Sequence, residues 1–100
     1  MRTMCRNIKT LHNFTPPATD EEMRASALQY VRKLSGTSKP SKANVAVFEQ
    51  AVDDVLAATR RLLAGLVTHA EPRTRAAEAA KAKERGRRRM ERLVRDTRKP

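Results

Sequence analysis

From residue 45 to residue 67 the apolar residues recur at helical spacing. On a wheel of about 100° per residue, Val45, Phe48, Val52, Val55, Leu56, Thr59, Leu62, Leu63, Leu66 and Val67 share one arc of about 140°, and Gln50, Asp53, Asp54 and Arg61 lie outside it. The period predicts a helix over 42–68, roughly 40 Å long at about 1.5 Å per residue. A shorter helix over 20–34 is predicted from Met23, Ala27, Tyr30, Val31 and Leu34 on one face, with Leu28 widening it. Its start carries a capping box, Thr19-Asp20-Glu21-Glu22: the Thr19 hydroxyl accepts from an amide three residues on, and Glu22 reaches back. The three acids also complement the positive end of the helix dipole. Gly36 suits a left-handed C-cap. The stretch Gly36–Ser41 is a turn without apolar residues, after which Ser41 or Asn44 caps the second helix.

These elements predict an all-α protein built on an antiparallel helical hairpin. The first helix, at roughly half the length of the second, cannot cover the whole stripe. The surplus must meet the leader, the C-terminal arm or a second copy of the chain.

The flanks read differently. In the leader, Ile8, Leu11 and Phe14 recur every three residues among Arg2, Arg6 and Lys9, before Pro16-Pro17 imposes extended chain. Asn7 and Asn13 suit turns, and the segment is expected to dock its apolar residues on the helical body. Residues 73–95 are rich in Ala, Lys, Glu and Arg and therefore helix-prone. There Lys81, Arg85, Arg88, Arg92 and Arg95, with Arg89 alongside, form a basic face. Lys83 and Arg87 intrude on an opposite face that is mostly alanine until Met90, Leu93 and Val94. Gly86 weakens the middle by about 1 kcal/mol relative to alanine, so the arm alone is expected to be marginally helical or frayed, and only weakly anchored. Residues 1–70 are thus read as leader plus two-helix body, and 71–100 as a basic helical arm, divided at Glu71-Pro72.

Charge sharpens that division. Among the chain's 100 residues, 22 Lys and Arg oppose 11 Asp and Glu, a net charge of +11. Residues 71–100 carry 12 bases and 5 acids, a net +7, against +4 for the first 70 residues. Such a balance is uncommon for a small-molecule enzyme and common for a protein that lives against phosphates. Three aromatics, Phe14, Tyr30 and Phe48, leave the core to Leu, Val, Ala and Met, a thin core that a partner surface would help to stabilise. No run of about 18 apolar residues spans a membrane. No signal peptide is read in the polar-interrupted N-terminus. The single Cys5 excludes an internal disulfide and suits a reducing cytoplasm.

A row of guanidiniums at helical spacing can engage successive phosphates without losing charge at any physiological pH. The arm therefore nominates Lys81, Arg85, Arg87, Arg88, Arg89, Arg92, Arg95, Arg98 and Lys99 as nucleic-acid contacts. Weighed beside this are a solvated tail, an acidic protein partner and an anionic membrane surface. The membrane reading suffers from an apolar face made mostly of alanine. RNA is favoured over DNA because no helix-turn-helix, zinc-ligand or ribbon pattern supports sequence reading, and structured RNA can be held by shape and phosphate contacts. Ribosomal RNA is the most abundant such target. Catalysis finds little support. Cys5, His12 and His69 match no zinc or Cys-His spacing, adjacent Asp53 and Asp54 diverge on a helix, and no glycine-rich phosphate loop exists. No cofactor or metal is implied. A redox role for Cys5, among Arg2, Arg6 and Lys9, is weaker than an idle thiol.

The run Met4-Cys5-Arg6-Asn7-Ile8-Lys9-Thr10-Leu11-His12-Asn13-Phe14, followed by Pro16-Pro17-Ala18-Thr19-Asp20-Glu21-Glu22, resembles the opening of an uncharacterised bacterial domain-of-unknown-function family, frequent in actinobacteria. Ala27 to Lys33, Ser35-Gly36, Lys39-Pro40-Ser41 and Ala51 to Leu63 continue the resemblance, over roughly 4–84. It implies a start at Met4, with Met1 to Thr3 an upstream extension, and an aromatic where this chain has Thr37. It implies no activity and no assigned site. The basic words of the leader nominate Arg6, Lys9 and His12 as a second RNA contact.

The expected function is that of a non-enzymatic, cytoplasmic RNA-binding protein associated with the ribosome. The alternative is a helical interaction module or homo-oligomer using Val45, Phe48, Val52, Val55, Leu56, Leu62, Leu63 and Leu66. A nucleoid-type DNA binder stands third.

Overall fold

A computed structural model of the chain describes residues 8–97. It is all-α: α1 (Asp20–Ser35), a single 3-10 turn (Lys42–Asn44), α2 (Val45–Gly65) and α3 (Arg75–Thr97). The leader call on Asn7, the thiol of Cys5, and the nominated contacts Arg6, Arg98 and Lys99 lie outside the described residues.

The start of α1 follows its local chemistry. The Glu22 amide donates to Thr19 Oγ1 at 3.1 Å, and the Thr19 amide donates to Glu22 Oε1 at 2.8 Å, which completes the capping box. At the other end Gly36 adopts φ +74°, and its amide donates to the Arg32 carbonyl at 2.9 Å. A left-handed residue there closes the last turn at little steric cost only when it is glycine.

α1 and α2 pack as the expected hairpin. Its core consists of Ala27 and Val31 from α1 with Phe48, Val52 and Leu56 from α2, bordered by Met23, Leu28, Ala51 and Val55. Two exposed ion pairs flank the seam: Arg24 Nη1 with Asp53 Oδ1 at 3.4 Å, and the Arg60 guanidinium with the Asp20 carboxylate, Nε to Oδ1 at 2.8 Å.

α2 is shorter than the apolar period predicts. It starts at Val45, after the 3-10 turn, and ends at Gly65, with Leu66 extended at φ −71° and ψ 139°. The cause lies in α1, whose first residue, Asp20, already faces Arg60. Beyond that level α1 offers no surface, so Leu62 and Leu66 are exposed, and a glycine followed by β-branched Val67 and Thr68 cannot hold the helix by propensity alone. Neither Ser41 nor Asn44 caps α2 through its side chain. The Asn44 side chain donates instead to Ser41 Oγ at 3.1 Å.

The leader and α3 meet in a way the sequence does not announce. Asn13, left-handed at φ +64°, donates from Nδ2 to the carbonyls of Ala70 at 3.4 Å and Glu71 at 3.0 Å. The Arg73 amide donates to the Asn13 carbonyl at 2.7 Å and the Thr15 amide to the Arg73 carbonyl at 2.9 Å, so Phe14 and Arg73 form a parallel bridge. A cis Thr15–Pro16 peptide follows. The leader thus also binds the segment entering α3 by its backbone, a contact that the apolar spacing does not predict.

Candidate nucleic-acid interface

α3 begins two residues after that bridge, and its first residue is its anchor. Arg75 Nε and Nη2 donate to Glu22 Oε2 and Oε1 at 2.9 and 2.8 Å. Nη1 and Nη2 also donate to the carbonyls of Pro16 at 2.8 Å and Pro17 at 3.2 Å. The same guanidinium lies 5.2 Å from the centre of the Phe14 ring, within cation–π range. Hydrogen bonding from Arg75, then from the Thr19 amide, holds the Glu22 carboxyl down to about 2. One side chain thus gathers leader, α1 and α3, an anchor that sequence reasoning did not name. Sequence reasoning missed Arg75 because its partner is 53 residues away and Glu22 was already explained by the capping box.

Beyond this joint α3 lies against neither α1 nor α2 among the described residues, and no α3 residue is buried. Its helix is continuous through Gly86, where an added Cβ would meet nothing within 4 Å. Intrahelical ion pairs support it. Lys81 pairs with Glu78 at 3.2 Å, Arg88 Nε with Glu84 at 3.0 Å, and Arg87 with both Glu84 and Glu91. Contacts of this kind, three or four residues apart, each add a few tenths of a kcal/mol to a helix. Arg87, then Arg88, lowers the pKa of Glu84, and hydrogen bonding to Glu84 raises that of Arg87.

The nominated contacts consequently divide into two groups. Lys81, Arg87 and Arg88 are engaged with acids of their own helix, whereas Arg85, Arg89, Arg92 and Arg95 have no ion pair among the described residues. These four recur at i, i+4, i+7 and i+10, on one exposed face. Opposite and beside them, Met90, Leu93 and Val94 are also exposed.

Of the second contact, the structure brings one described member to α3. Lys9 lines a groove of about 650 Å³ between leader and α3, together with Leu11, Phe14, Ala79, Ala82 and Arg85. His12 is half-buried and does not line it. Among the described residues, no group of three or more His, Cys, Asp or Glu gathers where it could hold a metal ion. No helix among them is long and apolar enough to cross a membrane.

Residues 4–81 match the model of a family described as an uncharacterized conserved protein, DUF2277. No curated protein and no solved structure matches the chain. The matched segment takes in the leader, the hairpin and the first turns of α3, and stops short of Arg85, Arg89, Arg92 and Arg95.

Proposed function

The chain belongs to the uncharacterized conserved family DUF2277, whose description carries no activity, and we propose that it is a non-enzymatic, cytoplasmic RNA-binding protein that holds ribosomal RNA through α3. The observation that carries this reading is the row Arg85, Arg89, Arg92 and Arg95 on a helix that no other element covers, free of ion pairs among the described residues. Guanidiniums so spaced meet successive phosphates, and each phosphate neutralised releases counterions. Lys9 and Arg85 share the groove between leader and α3, which Glu22, Arg75 and Glu78 also line. The hairpin supplies the base, and the Arg75–Glu22 pair ties the start of α3 to it. The test is sedimentation of a cell lysate through sucrose gradients at low and high salt. Co-migration with ribosomal particles, weakened by salt and by truncation after Glu84, is the expected result. Recovery only in light fractions under both conditions would overturn the ribosomal assignment.

A second reading has its own observation. Leu62 and Leu66 continue the stripe of α2 beyond the end of α1 and are 57% and 44% exposed. They fit a helix of another protein or a second copy of this chain. Concentration-dependent dimerisation in high salt without RNA, abolished by Leu62→Glu, is the result that favours it.

A further inference from the structure

A cleft of about 400 Å³ at the C-terminal end of α1 has a lining that contains two cations and no carboxylate. Gln29, Arg32 and Lys33 come from the last turns of the helix, Thr37 and Ser38 from the turn beyond its cap, and Ile8 of the leader closes one edge. Neither Arg32 nor Lys33 has an ion pair among the described residues. Arg32 Nε is shielded from solvent and has no hydrogen-bond partner among the described residues, and an unsatisfied donor of this kind is uncommon in folded chains. The side chains of Gln29 and Ser38 likewise have no hydrogen-bond partner among the described residues. Thr37 is already engaged with Lys39, from whose amide it accepts at 3.2 Å.

We propose that this cleft is a phosphate-binding site, in which Arg32 and Lys33 hold the anion and Gln29 and Ser38 complete its hydrogen bonds. A guanidinium N–H, an ammonium, an amide NH₂ and a hydroxyl form a donor set that matches the several oxygens of a phosphate better than the two of a carboxylate. The helix dipole opposes an anion at this end, but its partial charge is about −0.5 against two full positive charges, so the local balance stays positive. The cleft has room for a phosphoryl group and part of the molecule that bears it. Ile8 also lines the groove beside α3, so the leader is the shared wall between the two. The inference goes beyond the reading of α3, since no donor of the cleft lies on that helix.

The experiment is ¹⁵N-edited NMR of the full chain, following the amides of Gly36, Thr37 and Ser38 and the Arg32 Nε–H. Titrations use inorganic phosphate and, separately, a short single-stranded RNA without terminal phosphates, each against chloride at matched ionic strength. Saturable shifts with phosphate that chloride does not reproduce are expected, and Arg32→Ala should weaken them about tenfold. Arg32 and Lys33 both complement the end of α1, so Ser38→Ala, beyond the helix cap, tests the cleft without touching that role and should weaken phosphate as well. Shifts with both ligands assign the site to phosphodiesters of RNA. Shifts with inorganic phosphate alone assign it to free phosphate or phosphomonoesters. Either supports the site. Equal shifts in chloride, or shifts that both variants leave unchanged, would overturn it. Replacing Arg89 and Arg92 separates the two readings: if RNA binding proves independent of α3 while the cleft shifts persist, only the α3 reading fails.

Discussion

Arg75 and Glu22 form a two-pronged ion pair that joins the first residue of α3 to the first turn of α1. Glu22 also accepts from the Thr19 amide at 2.8 Å, so one carboxylate closes the start of α1 and holds α3 in place. Arg75→Ala removes the fork, both proline carbonyl contacts and the contact with Phe14 together. Faster hydrogen exchange is expected at Thr15 and Arg73, whose amides donate in the bridge, and at Glu78 in the first turn of α3. The amides of Val31, Val52 and Leu56 should keep their protection, because the hairpin core does not include Arg75. Arg75→Lys keeps the charge but not the planar fork and should fall between. Unchanged protection at Thr15 and Arg73 would show that the backbone bridge alone carries the joint.

The same pair sets an acid dependence. Glu22 is held from an ordinary 4.5 down to about 2 in the folded chain. A carboxyl with a depressed folded pKa contributes stability that is full above its unfolded pKa and is lost as pH falls through the folded value. The joint should therefore be insensitive to pH above about 5.5 and should loosen progressively between 4.5 and about 2. Asp20, lowered chiefly by its hydrogen bond from Arg60, gives the α1–α2 seam an acid dependence in the same direction. Exchange at Thr15 and Arg73 measured against pH should show this window in the parent chain, and Glu22→Gln should flatten it.

The hairpin has little apolar reserve. Five residues form its core, and Leu56, 5% exposed, is the largest aliphatic among them. Leu56→Ala should cost about 2–5 kcal/mol, comparable to the whole stability of a core this small. Urea titration followed by helical circular dichroism should show the variant largely unfolded at room temperature. A midpoint shifted only slightly would mean that another surface, such as a second copy on Leu62 and Leu66, supplies much of the stability.

Local rules made the hairpin legible. The capping box at Thr19, the left-handed Gly36 and the faces of Ala27, Val31, Phe48, Val52 and Leu56 all follow from residues within a few positions of one another. The end of α2 was not legible, because Leu66 and Val67 keep the apolar period while the neighbour that would cover them has stopped. Nor was the anchor of α3. Arg75 looks like one more base in a basic arm until the chain folds Glu22, Pro16 and Phe14 around it. The cleft at Arg32 was hidden for a related reason: a base in the last turn of a helix is explained by the dipole, and nothing local shows that its Nε has no acceptor among the described residues. The row of arginines on α3 was visible, but which of them are engaged depends on where Glu84 and Glu91 point.

Glycine 86 gives a test that leaves charge alone. An alanine Cβ there meets nothing within 4 Å, and alanine is favoured over glycine in a helix interior by about 1 kcal/mol. Gly86→Ala should increase helical circular dichroism and slow amide exchange in the second half of α3. If α3 binds RNA as a helix, affinity should rise slightly or hold, because less order remains to be gained on binding. A weaker complex would mean that the bound arm bends at this position.

The division among the arginines of α3 makes the sharpest demand on the RNA-binding reading. Arg89→Gln with Arg92→Gln, and Arg87→Gln with Arg88→Gln, each remove two positive charges from the same helix. A general electrostatic attraction would weaken equally in both, since screening over about 8–10 Å blurs which residue carries the charge. Direct contact predicts a difference. Arg89 and Arg92 have no ion pair among the described residues, whereas Arg87 and Arg88 are held by Glu84 and Glu91. The first pair of substitutions should lower affinity for single-stranded RNA more, and should reduce the slope of log affinity against log salt by about 0.7 for each phosphate contact removed. The second should change that slope less while costing helicity, because it dismantles three ion pairs that support α3. Equal losses with equal slopes would reduce α3 to a diffuse positive charge and leave its helical register without a role in binding.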